Sequence, residues 1–252
     1  MPAVAGADIS EPVTNALIQS ATQALGNKPA FLGRYFKNPQ NPESVQYQFG
    51  TENAVLRAAA IPILCLARQT ARVGGTLEDG IADAVWNMAA IVEAFGLKYL
   101  NGLGCDPIVF LDTEPQTTLN SDYYLGWARA LRNQGEYVPE PQPAFTVRFT
   151  PAIYINQGDD DAWKALTTAM GQGASCYGAW VAHYIKNSAP PAWDPQMVQP
   201  NPPLQAPCPI IAWQYIGDYQ SGNLDFSILE ATSANATLRL LIPAPPSSGL
   251  TS

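Results

Sequence analysis

Histidine is nearly absent from this chain: 252 residues hold one, His183. A Ser-His-Asp or Cys-His nucleophile would have to pass through that ring, and no G-x-S-x-G elbow accompanies it. Triad chemistry is therefore set aside. The four cysteines, Cys65, Cys105, Cys176 and Cys208, are widely spaced. With no CxxC and no Cys/His cluster, they argue against a structural zinc site. They read as buried free thiols, which behave as small hydrophobes, with a Cys176–Cys208 disulfide as the alternative. Positive charge is scarce: 13 Lys and Arg face 21 Asp and Glu, for a net charge of −8. No basic stripe exists, so neither nucleic acid nor an anionic membrane is an expected partner. No apolar run reaches the roughly 18 residues that span a bilayer. The first strand-like run begins within a few residues of Met1, which leaves no room for a secretory signal. Localisation stays open on this reading. No cofactor and no metal are expected, and the chain reads as a monomer.

Apolar residues make up 47% of the chain, enough for a large core without staples. Strand-like and helix-like stretches alternate. Residues 4–10 read as a strand and 12–25 as a helix. A strand at 31–36 is followed by a polar loop at 37–50, a short helix at 51–60 and a strand at 61–67. A long helix at 76–95 carries Ile81, Val85, Met88, Ile91, Val92 and Phe95 on one stripe and closes at Gly96. Then come a strand at 108–114 and a helix at 121–132, with Asn120 or Ser121 as N-cap and Gly135 near its end. A strand at 152–156 precedes a helix at 159–170, whose first-turn acids suit the helix dipole. Asp159-Asp160-Asp161 therefore reads as a helix start rather than a calcium loop. Three more strands are expected at 177–185, 210–216 and 224–229.

Such alternation predicts a parallel sheet with right-handed crossovers. Eight strands fit a closed, TIM-like β/α barrel with about five helices, its last connections lacking helices. The proline-crowded stretch 187–209 is expected to be extended. Residues 1–242 form one domain on this reading, and 243–252 a flexible Pro/Ser-rich tail.

The most informative segment is Ile108-Val109-Phe110-Leu111-Asp112-Thr113-Glu114. A short apolar run between Pro107 and Pro115 reads as a buried parallel strand. Side chains alternate along a strand, so Asp112 and Glu114 share a face, with Cα atoms roughly 6.5–7 Å apart. Acids at the exit of a buried strand are costly unless paired, solvated or used, and in a β/α barrel that exit is where chemistry sits. Asp8 ends the first strand, and Asp225 opens the eighth in Asn223-Leu224-Asp225-Phe226. Trp180 and Tyr184 lie on the sixth strand, Trp213 and Tyr215 on the seventh, Tyr154 on the fifth. Carboxylates ringed by aromatic faces suit sugar rings. Simpler readings stand beside this one. Asp112 and Glu114 also suit capping of the next helix or pairing with Arg34, which is either an ion-pair partner or a substrate contact. Trp180 and Trp213 also suit a core, and His183 is expected to face the helical layer.

The ordered set of a strand-one Asp, a D-x-E strand, a W-x-A-x-Y strand, a W-Q-Y strand and a late L-D pair resembles glycoside hydrolase family 25, the N-acetylmuramidase lysozymes. It is most similar to bacterial glycoside-hydrolase-like domains related to that family, whose second strand often reads like Phe31-Leu32-Gly33-Arg34-Tyr35-Phe36 here. The resemblance covers roughly residues 4–230. It implies a barrel of eight strands and about five helices that cleaves β-1,4-linked N-acetyl-sugar glycans, above all peptidoglycan. It also implies Glu114 as general acid, and Asp112 as the residue that tunes it and either orients the 2-acetamido group or stabilises an oxocarbenium-like centre. Asp8 and Asp225 would shape the electrostatics and bind hydroxyls, with Arg34, Tyr154, Trp180, Tyr184, Trp213 and Tyr215 as substrate contacts. Departures are Ser10-Glu11-Pro12 after the first strand and Ile153-Tyr154-Ile155-Asn156 at the fifth. A barrel that grips a glycan or cell wall without cutting is the alternative. A metal held by the same four acids is a third reading, weakened by the lack of ligand histidines.

Overall fold

The computed structural model describes residues 4–40, 42, 45–68, 72–114, 117–132, 147–185, 197–219 and 224–246. Eight strands close into a barrel in sequence order: β1 (Val4–Ile9), β2 (Leu32–Phe36), β3 (Ile63–Arg68), β4 (Ile108–Thr113), β5 (Thr150–Asn156), β6 (Ala179–Ala182), β7 (Ile210–Ile216) and β8 (Leu224–Leu229). Helices α1 (Asn15–Leu25), α2 (Phe49–Ala59), α3 (Leu77–Phe95), α5 (Ser121–Arg132) and α6 (Asp160–Gly171) are the five the sequence announces. Their ends follow local chemistry. The Thr14 hydroxyl accepts from the Leu17 amide at the start of α1, and Gly26 closes that helix at φ 73°. Thr76 and Asp79 form a capping box on α3. Two one-turn helices, α4 (Leu97–Asn101) and α7 (Ala234–Leu238), are additions; five residues are too short for a periodic apolar stripe to register. No helix among the described residues is long and apolar enough to cross a membrane.

Strand alternation divides the buried side chains between two cores. One fills the barrel and includes Phe31, Tyr35, Leu66, Phe110, Tyr154 and Trp180. The other lies between barrel and helices. Six strand pairings are parallel, but β8 runs antiparallel to both β7 and β1. The all-parallel expectation is corrected here. Only residues 217–223 join β7 to β8, too few for the dozen or more that a parallel crossover needs. The first residues of β8 consequently stand at the same end of the barrel as the last residues of β1, and Asp8 is the register partner of Asp225.

Arg34 is corrected too. On β2 its neighbours Gly33 and Tyr35 face the barrel interior, so Arg34 faces the helices. Its Nε and Nη2 donate to the two carboxylate oxygens of Glu52 on α2, at 2.7 and 2.9 Å, and its Nη1 donates to the Ile9 carbonyl at 2.6 Å. Glu52 also accepts from the Val13 and Gln48 amides. Both side chains are fully buried. Arg34 is a strut between barrel and α2, and neither a substrate contact nor a partner of Asp112 or Glu114.

The tail expectation holds less of the chain than its bounds suggest. The Pro245 carbonyl accepts from Arg57 and the Pro243 carbonyl from Tyr99, so residues 243–246 are tied to the helical layer. Residues 247–252 lie outside the described residues, as do Gly135, Pro115, Asn223 and 186–196 of the proline-rich stretch; residues 197–209 contain no helix or strand.

Removing one partner of a buried ion pair strands the other charge. Glu52→Ala should therefore lower unfolding stability by about 3–5 kcal/mol, measured by urea denaturation. A loss under about 1 kcal/mol would contradict the strut.

Candidate active site in the barrel mouth

At the end of the barrel where β1 to β7 finish, the interior-facing positions turn polar. β1 supplies Asp8, β2 Tyr35, β3 Arg68, β4 Asp112, β5 Tyr154, β7 Gln214 and β8 Asp225. Glu114 directly follows β4, half-buried, and Tyr184 lies just beyond β6. Gly33 makes room for this cluster: a Cβ there would stand 2.5 Å from the Asp8 Cβ. The Arg68 guanidinium sits 5.2 Å from the centre of the Tyr35 ring, and Arg68 is the register neighbour of Asp112.

Gln214 joins the parts. Its Nε2 donates to Asp8 Oδ1 and Oδ2 at 3.1 and 3.0 Å and to Asp225 Oδ2 at 3.2 Å. Its Oε1 accepts from the Tyr154 hydroxyl at 2.5 Å and the Tyr184 hydroxyl at 3.0 Å. The two hydroxyls are themselves 3.1 Å apart. The tyrosine donors hold the amide so that its NH2 faces the acids. The Asp218 amide donates to Asp225 Oδ1 at 2.6 Å.

The carboxyls differ in environment. Asp112 is 1% exposed, and neither of its oxygens has a hydrogen-bond partner among the described residues. Burial, reinforced by the Glu114 charge and opposed by Arg68, pushes it up to about 8, so at neutral pH it is mostly a neutral acid. Burial and the Asp225 charge raise Asp8 well above the carboxylate range, against the stabilising Gln214 hydrogen bond. Burial also lifts Asp225, to about 6, with the Asp218 amide holding it down. Asp8 and Asp225 thus form a carboxyl–carboxylate pair at neutral pH, bridged by one amide. The Glu114 charge reaches Asp8, Asp112, Asp225 and Tyr184 alike. Among the described residues, no three His, Cys, Asp or Glu side chains are grouped as a metal-ligand set.

Of the residues singled out in the sequence, the fold brings Asp8, Asp112, Glu114, Asp225, Tyr154 and Tyr184 to this mouth. Tyr184 is 46% exposed and offers a ring to solvent. Besides Arg34, three others are corrected. Trp180 faces inward but is fully buried below Tyr154, edge-on to Tyr154 and Phe110, with its indole N–H on the Ser227 hydroxyl. It is barrel filling, not a sugar platform. Trp213 and Tyr215 lie in the barrel–helix core and pack on each other, and the Trp213 indole donates to the His183 carbonyl. Alternation along β7 sends them outward because Gln214 between them points inward. His183 contacts Gln157 and the Trp213 ring, away from the acids. The sequence reading missed Gln214, Tyr35 and Arg68 as site residues. The available signal was the lone amide in the apolar run 210–216, since a buried amide needs partners.

No protein-family model matches the chain, and no curated protein sequence matches it. Among solved structures, an uncharacterized protein of B. stearothermophilus is similar over 94% of this chain and 99% of its own, at 18% identity and a TM-score of 0.67. A muramidase from Acremonium alcalophilum is similar over 94% of this chain and 98% of its own, at 14% identity and a TM-score of 0.50. At these identities the likeness is one of fold alone, a closed eight-stranded barrel.

The raised Asp112 has a consequence for stability. The folded state keeps a proton that the unfolded chain releases near pH 4, so stability present below pH 4 is lost as pH rises through 8, by about 1.4 kcal/mol per unit. Asp112→Asn removes this dependence. Urea unfolding should show the variant gaining on the wild type by a few kcal/mol between pH 5 and pH 8. Parallel stability profiles would contradict the buried neutral acid.

Proposed function

We propose that the protein is a glycoside hydrolase that cleaves β-1,4-linked N-acetyl-sugar glycans, with peptidoglycan as substrate and Glu114 as general acid. The observation that carries this reading is the gradation among four convergent carboxyls: Asp112 buried and neutral, Asp8 and Asp225 sharing a proton, and Glu114 half-buried beside all three. A mouth of this kind offers both a proton donor and fixed negative charge, which an oxocarbenium-like transition state needs. The fold shared with a muramidase supports the same reading.

In this mechanism the form of the enzyme in which Glu114, rather than a neighbouring acid, carries the proton is the reactive one: Glu114 passes that proton to the glycosidic oxygen as the bond to C1 breaks, and the leaving sugar departs as an alcohol. The ionised Asp225 faces the positive charge that develops on the ring. Asp112, neutral, accepts a hydrogen bond from the acetamido N–H through its carbonyl oxygen and orients the group. The acetamido oxygen closes on C1 as the glycosidic bond breaks, and water, giving a proton to the Glu114 carboxylate, then opens the ring so formed at C1 to leave a hemiacetal, so that a protein nucleophile is not required. Tyr184, the exposed ring at the rim, stacks on a neighbouring sugar.

The test is mass spectrometry of muropeptides released from purified cell walls. The wild type should generate new reducing ends, and Glu114→Gln should slow their release about 10²–10⁴-fold. Equal rates would reject Glu114 as the acid. Retention on the wall with no reducing ends from either protein would favour a glycan-binding barrel instead.

A further inference from the structure

At the end of the barrel opposite the mouth, two cysteines distant in sequence meet. Cys176 lies between α6 and β6, and Cys208 lies two residues before β7. Their Sγ atoms are 3.5 Å apart, across 32 residues of chain. The approach is built into the seam between β6 and β7. A Cβ on Gly178 would stand 2.7 Å from Ile211 Cγ2 and 2.9 Å from the Pro209 carbonyl, so the two segments touch only because residue 178 is glycine. The Ala179 amide donates to the Pro209 carbonyl at 2.8 Å, which anchors the chain immediately after Cys208. Register slips in this seam between Ala179 and Trp180. The same two strands carry or lead into Trp180, Tyr184 and Gln214, so the seam's alignment propagates to the mouth.

We propose that Cys176 and Cys208 are a redox site, converted by a small-molecule disulfide such as oxidised glutathione into an intramolecular disulfide that locks β6 to β7. This inference is independent of the glycosidase reading. Cys176 is the entry point: it is only partly buried, and its thiol is held below the ordinary range by its hydrogen bond with Cys208, with Tyr124 and the Gly178 backbone assisting. Its thiolate attacks glutathione disulfide, breaking that S–S bond and releasing one glutathione thiolate. Cys208 then loses its proton and attacks the Cys176 sulfur, and the second glutathione leaves as thiolate. Two thiols of the protein are oxidised, two electrons reduce one glutathione disulfide to two glutathione thiolates, and the two protons given up by Cys176 and Cys208 convert those thiolates to thiols. Closing from 3.5 Å to the bond length of about 2.05 Å asks for a small side-chain movement. Cys65 is buried apart from the pair, and Cys105 contacts the Arg239 carbonyl, so neither competes.

The full chain is incubated with oxidised glutathione, and thiols are counted in denaturant. The reduced protein should titrate four thiols and the oxidised protein two, with a peptide joining residues 176 and 208 that is lighter by two hydrogens. A crosslink across a loop of this length should raise Tm by about 10 °C, reversed by dithiothreitol. Cys105→Ser should keep that rise, whereas Cys176→Ser and Cys208→Ser should lose it. If either Ser variant fails to fold, the reduced and oxidised wild type decide alone. Four thiols after oxidation, a stable glutathione adduct on Cys176, or a Tm rise that survives Cys176→Ser would each overturn the proposal.

Discussion

Strand β8 enters the barrel against the direction of the other seven, and the acidic mouth depends on that reversal. Asp225 is the second residue of its strand. In an all-parallel barrel it would sit at the floor, with Asp8 at the opposite rim. Reversed, it lies level with Asp8, close enough for one amide nitrogen to bond to both carboxyls. Two like charges at that separation resist ionising together. The proton-sharing pair therefore follows from a loop too short to cross the barrel.

Around that pair, the interior is arranged so that acids stay incompletely satisfied. Gln214 supplies the only amide donor to Asp8 among the described hydrogen bonds, and its own oxygen is taken by two tyrosines. Asp112 receives no donor from the described residues. Elsewhere the same chain satisfies buried charge fully: Glu52 accepts from Arg34 and from two backbone amides. The contrast between a complete ionic strut behind the strands and an orphaned carboxyl inside them is what singles out the mouth as the candidate site.

The two ends of the barrel divide the work. The mouth holds polar groups at a cost to stability. The far end holds Gly178, the irregular β6–β7 seam and the adjacent thiols, where backbone contact is closest. Because β6 and β7 run between the two ends, alignment at the floor bears on where Tyr184 and Gln214 meet at the rim.

The barrel was legible in the sequence. Eight apolar runs alternating with five helical stripes leave few ways to bury both kinds of surface, and the D-x-E exit of 108–114 marked the mouth from local pattern alone. Strand alternation sets which residues share a face but not which face is inside, so Arg34, Trp213 and Tyr215 were placed in the mouth while Gln214, sharing β7 with the two aromatics, was passed over. The direction of β8 was equally hidden, since a strand reads the same whichever way it enters a sheet. Sequence by itself determined the elements, the barrel and the acids at its exits, because hydrophobic period and turn chemistry are local. Only the tertiary structure decided which acids face one another, which are neutral, and which sulfurs touch, because burial and distance are properties of closure.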